Sequence, residues 1–183
     1  MKPHFVRFSA VFAFFLIVDQ VVKAWARGAA ENVEGRIIYA LWPGVFEFKL
    51  LYNRGIAFGM LQGMGVWLAP IAIAITLAAA YHVWRHPRES KVVQVGMALL
   101  ASGAIGNVID RIWLGKVTDM FWFRLIDFPV FNVADSCITV AAFLLVWKWG
   151  LDAFRHDASP ASEGSSPHEA ERPRRETAAG PSE

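Results

Sequence analysis

The chain has 183 residues, 55% of them hydrophobic and 19% charged, with a formal net charge of +2 and a mean hydropathy of +0.36. A soluble domain of this size has no use for so much apolar surface, and the excess lies in blocks, so the chain reads as an integral membrane protein. The single cysteine, Cys137, excludes an internal disulfide and a cysteine metal cluster, and there is no basic stripe of the kind nucleic-acid binding needs.

The first seven residues, MKPHFVR, are basic, and Phe8–Val18 is an uncharged run, apolar but for Ser9. Taken alone this resembles a signal peptide with Ala24-Trp25-Ala26 as a poor cleavage site. However, Asp19, Gln20 and Lys23 continue one helical face with Val22 and Ala26, which predicts a first membrane helix over Phe5–Arg27, roughly 34 Å long. Residues 28–65 hold no membrane-length run. Within them Val45–Tyr52 alternates partly with period two between Pro43-Gly44 and Asn53, the pattern of a strand or short sheet. The glycines and asparagine of Asn53-Arg54-Gly55-Ile56-Ala57-Phe58-Gly59 then suit turns and close backbone approach.

A second helix is predicted over Val66–Trp84, uncharged and with Pro70 in its first turns. A short basic loop, Arg85–Lys91, leads to a third helix over Val92–Ile109, 18 residues without a charge. Asp110–Pro129 reads as a mixed loop whose Trp113, Phe121, Trp122, Phe123 and Phe128 belong at a membrane surface. A fourth helix is predicted over Val130–Trp149. The expected fold class is therefore an all-α membrane protein: four transmembrane helices, a small extracytoplasmic β-sheet and a surface loop or helix. Residues 1–156 form the membrane domain. Residues 157–183 contain no Val, Ile, Leu, Met or aromatic residue and are expected to be a disordered cytoplasmic tail.

Lys and Arg concentrate before the first helix, in loop 85–91 and after Trp147, which places both termini in the cytoplasm. Four spans satisfy that parity. The outward helix ends then carry Asp19 and Lys23, Asn53 and Gly55, Asn107, Asp110 and Arg111, and Asn132 and Asp135. Polar groups at one membrane level mark a functional site.

The chemistry open to that site is limited. The five histidines lie at predicted cytoplasmic positions or in the tail, so Ser-His-Asp and Cys-His sets fail, and His82 and His86 lack the glutamate of a zinc motif. Two carboxylates remain, Asp119 in the loop and Asp135 at the start of the fourth helix. Brought together they would share one proton, one acting as acid and the other as base toward water. Asp135 alone is also a helix N-terminal carboxylate, and Asp119 alone a solvated loop residue; their spacing does not show that they meet. The pair Asp19 and Lys23, at i and i+4, fits a tie from the first helix to its neighbours better than direct chemistry. Asp110 and Arg111 are adjacent, so they point to different partners, with Arg111 suited to grip a carbonyl or carboxylate. A Ser/Lys peptidase using Ser102 or Ser136 with Lys23 or Lys116 is a second reading. A small transporter or assembly protein is a third, although the inner half of every helix is almost bare of polar groups.

Five blocks in order resemble lipoprotein signal peptidase, the signal peptidase II family of bacterial inner-membrane aspartic peptidases: Asp19–Lys23, Asn53–Gly59, Gly103–Arg111, Val117–Met120 and Phe131–Ser136. The resemblance covers roughly residues 5–150. It implies that Asp119 and Asp135 are a catalytic dyad, with substrate-binding or supporting roles for Asp19, Lys23, Asn53, Gly55, Gly103, Asn107, Arg111 and Asn132. It implies that the substrate is a lipidated prolipoprotein, cut just before its diacylglyceryl-modified cysteine, with membrane lipids as surroundings and no metal or other cofactor; the chain is expected to be a monomer. The active site would face the periplasm. The chain departs from the usual family pattern at Thr118 and Met120, where an apolar residue and an aromatic are usual, and at Val22, where threonine is common.

Overall fold

The computed structural model of this chain describes residues 2–55 and 68–157. It is mostly helical, in the order α1 (Pro3–Ala29), β1 (Ile37–Trp42), β2 (Phe46–Asn53), α2 (Ala69–Arg85), α3 (Lys91–Leu114), β3 (Val117–Phe123), a 3-10 turn (Arg124–Ile126) and α4 (Val133–Asp157). Among the described residues, α1, α3 and α4 are long and apolar enough to cross a membrane. The expected start of the second helix, Val66, lies outside the described residues, as does the tail from residue 158.

Helix α3 is the centre of the bundle. In its most apolar stretch 67% of the residues are buried, against 11% for α1 and 22% for α4, whose remaining faces suit lipid. Its sequence permits this because small residues recur along it. A Cβ on Gly103 would lie 2.4 Å from the Ala134 carbonyl oxygen, and one on Gly106 would lie 2.5 Å from Asp19 Oδ2. Only glycine lets α4 and α1 approach α3 so closely. Ser90 caps the start of α3 by accepting from Val93 N–H, and Gly115, at φ +68°, ends it in the left-handed region.

Phe8 of α1, Val83 of α2, Val93 and Met97 of α3 and Leu145 of α4 form one apolar cluster at the end of the bundle bearing the N-terminus and loop 85–91. The three strands form an antiparallel sheet, order β1-β2-β3, at the opposite end. Because β2 follows α1 and β3 follows α3, pairing of Leu51 with Asp119 and Tyr52 with Thr118 ties the two connections together. Phe46, Phe48, Phe121 and Phe131 pack against one another here, and Trp25 of α1 meets Phe48 edge-on, 5.6 Å between ring centres.

The Asp110–Pro129 region corrects the sequence reading. Helix α3 continues to Leu114, and Val117–Phe123 is a strand, not a loop. Val117, Thr118, Asp119 and Met120 are all buried. A strand covered on both faces shows no alternation, so period two could not reveal it.

Candidate functional site

The sheet end gathers the C-terminal turns of α1 and α3, the first turn of α4, and β3. Asp19, Lys23 and Ala26 lie on the inward face of α1. Lys23 is fully buried, and its ammonium is 2.9 Å from Asp19 Oδ2, 3.0 Å from Asn107 Oδ1 and 3.3 Å from the Gly106 carbonyl. Three N–H donors meet three acceptors. Asp19 in turn accepts from Ala134 N–H at 2.9 Å, so this pair joins α1 to both α3 and α4.

Lys23 also decides which way the Asn107 amide faces. An ammonium can only donate, so Asn107 must present its oxygen to Lys23 and its nitrogen to the other side. There Asn107 Nδ2 donates to Asp135 Oδ1 at 2.8 Å. Asn107 Oδ1 also accepts from Asn132 Nδ2 at 3.1 Å.

Asn132 and Asp135 begin α4 as a reciprocal capping box. Asp135 N–H donates to Asn132 Oδ1 at 2.9 Å, and Asn132 N–H donates to Asp135 Oδ2 at 3.2 Å. With its oxygen committed to the cap, Asn132 turns its Nδ2 toward β3 and donates to Asp119 Oδ1 at 2.6 Å. Asn132 therefore touches both carboxylates. Asp119 is only 2% exposed, which removes the solvated-loop reading. Burial, and then the charge of Asp135, push its carboxyl from the ordinary 3.8 up to about 8. Asp135 keeps the helix-terminal role considered for it, and the same geometry holds it beside Asp119.

Both carboxylates line a cavity of about 650 Å³ with Asn53, Phe123, Ile126, Phe128, Pro129, Val130, Phe131, Ser136, Thr139 and Val140. Its apolar wall comes largely from the β3–α4 connection. Asp135, Ser136, Thr139 and Val140 run down one side of α4, and Val140 is exposed, so the cavity reaches that helix's outer face.

The remaining expected residues fall around this centre. Asn53 ends β2, lines the cavity and accepts from Gly55 N–H at 2.9 Å, forming an Asx turn with buried Gly55. Gly103 lies back from the cavity, at the α3–α4 contact. Arg111 extends its charge toward Asp135 and Asp119, while its Nε is buried without a partner. Asp110 faces elsewhere, as its adjacency to Arg111 requires: its Oδ2 accepts from Thr118 N–H at 2.8 Å. Arg27, whose Nη1 donates to Thr118 Oγ1 at 2.9 Å, was not singled out from sequence; its place one turn beyond Lys23 on α1 was the available signal.

The Ser/Lys set does not assemble. Ser102 Oγ donates to the Leu99 carbonyl and Ser136 Oγ to the Asn132 carbonyl, Lys23 spends its donors as described, and Lys116 lies over the Tyr52 ring. Among the described residues no group of three or more His, Cys, Asp or Glu side chains is arranged to hold a metal ion.

A family model described as signal peptidase (SPase) II matches residues 11–150. A lipoprotein signal peptidase of Gloeothece citriformis is 43% identical over 129 residues, covering 70% of this chain and 79% of the relative. That of Synechocystis sp. is 36% identical over 132 residues, covering 72% and 80%. A solved bacterial membrane enzyme superposes with a TM-score of 0.75 at 29% identity, over 85% of this chain and 94% of its own.

Proposed function

The chain belongs to the signal peptidase II family, and we propose that it is an aspartic endopeptidase that removes signal peptides from prolipoproteins, with Asp119 and Asp135 as the catalytic dyad. The observation that carries this reading is the Asn132 side chain and backbone hydrogen-bonded to both carboxylates at one cavity. Charge balance supports it. Lys23, Arg27 and Arg111 bring three positive charges to this end of the bundle, and Asp19, Asp110, Asp119 and Asp135 bring four carboxylates. A buried cluster of that composition is neutral when one carboxyl keeps a proton, and Asp119 is the one pushed upward.

Asp135, which accepts from Asn107 and Asn132, takes a proton from water as the oxygen attacks the scissile carbonyl. Asp119 gives its proton to the carbonyl oxygen. On collapse Asp135 protonates the departing nitrogen, the C–N bond breaks, and Asp119 recovers a proton from the diol. The dyad ends as it began.

The substrate is a diacylglyceryl-modified prolipoprotein cut just before its lipidated cysteine. An apolar cavity reaching the outer face of α4 supports sideways entry with acyl chains left among lipid tails. The chain spans the bacterial inner membrane four times, with α2 as the remaining span, both termini cytoplasmic and the site at the periplasmic side. The basic residues near the N-terminus and in loop 85–91, at the bundle end opposite the site, support that orientation. It acts as a monomer, since one chain supplies every group named here.

Purified protein in detergent is to be incubated with a diacylglyceryl-cysteine precursor peptide. Asp119→Asn and Asp135→Asn are each expected to abolish cleavage while Ser102→Ala and Ser136→Ala cleave it. Full activity in either aspartate variant refutes the dyad.

A further inference from the structure

Asp110 is a buried carboxylate that the reaction above does not use. It is 2% exposed, ends one helical turn beyond Asn107 on α3, and reaches across to β3, where its Oδ2 accepts from Thr118 N–H at 2.8 Å. Thr118 is the residue before Asp119 and is itself fully buried. On the other side of Asp119, Met120 N–H donates to the Phe131 carbonyl at 3.0 Å. The backbone N–H groups flanking Asp119 are thus both tied: one to Asp110 on α3, the other to the residue before Asn132, whose amide holds the Asp119 carboxyl.

Successive side chains of a strand point to opposite faces, so a rotation of β3 about its axis swings Thr118 and Asp119 together. Arg27 braces the Thr118 face: its Nη1 donates to Thr118 Oγ1 at 2.9 Å and lies 3.7 Å from Asp110 Oδ1. Lys23 lies 3.7 Å from Asp110 Oδ2, beyond hydrogen-bond reach but close enough to balance its charge.

We propose that Asp110 is a positioning residue for the peptidase reaction, aiming Asp119 at Asn132 and the scissile bond by holding the Thr118 N–H. It rests on the reading of Asp119 as catalytic. The hydrogen bond carries the effect, with the charge secondary, so an acceptor of the same shape replaces it.

The test compares Asp110→Ala and Asp110→Asn by kcat and KM for the precursor peptide, together with hydrogen exchange at individual amides in detergent. Asp110→Ala is expected to lower kcat about tenfold or more with KM within about twofold, since misaiming acts on the chemical step. Its Thr118 amide loses protection while Met120 keeps it. Asp110→Asn, whose amide oxygen still accepts, restores most of kcat and the Thr118 protection. Wild-type kcat in Asp110→Ala overturns the proposal. So does a folded Asp110→Asn with protected Thr118 and the kcat of the alanine variant, because charge would then be what matters. If the alanine variant does not fold, Asp110→Asn alone decides: near wild-type kcat supports positioning, and a tenfold loss overturns it. Activity in Asp119→Asn would instead strike the dyad itself.

Discussion

The protonation of Asp119 makes the site pH-sensitive in a definite direction. Desolvation is the largest cause of its upward shift, the Asp135 charge adds to it and Asp110 adds less, while the Asn132 hydrogen bond and Lys23 oppose it. With a midpoint at about 8, roughly 90% of the chains hold the acid proton at pH 7, about half at pH 8 and roughly 10% at pH 9. Cleavage should therefore fall about tenfold per pH unit above the midpoint. The measurement is kcat/KM for the precursor peptide from pH 5 to 10, with α-helical content followed across the same range to exclude unfolding. Stability follows the same sign. Between about 4 and 8 the folded chain keeps a proton that the unfolded chain has released, so this group makes stability decrease as pH rises through that window. A profile flat to pH 10, or a basic limb centred below pH 6, would refute the assignment of the acid to Asp119.

Replacing Asn132 by alanine removes the amide joining the two carboxylates and the cap of α4, and kcat should drop about a hundredfold, read as initial rates at saturating substrate. Gly103→Ala pushes a methyl against the Ala134 carbonyl; α3 and α4 must part, and thermal melting in detergent should show a loss of about 1–3 kcal/mol. Lys23→Met strands Asp19 without its partner and frees the Asn107 amide to turn. It should cost about 3–5 kcal/mol in the same assay and reduce activity further, whereas the Asp19→Leu/Lys23→Met pair should recover much of the stability.

Much of this protein is written along the chain. The apolar runs of α1, α3 and α4 need no partner to be recognised, because membrane length is a local property of sequence. The Asn-x-x-Asp spacing that starts α4 is likewise local, and so is the i, i+4 pairing of Asp19 with Lys23. What tertiary structure decided is how those pieces face one another. Asp119 looked like a loop residue because both faces of its strand are covered by separate parts of the chain, so no periodicity betrayed it. The direction of the Asn107 amide, and with it the donor offered to Asp135, depends on a lysine 84 positions away. Contacts of that range depend on the packing of α1 against α3, and Gly106 admits it only in the folded bundle, where the absence of a side chain becomes room for Asp19.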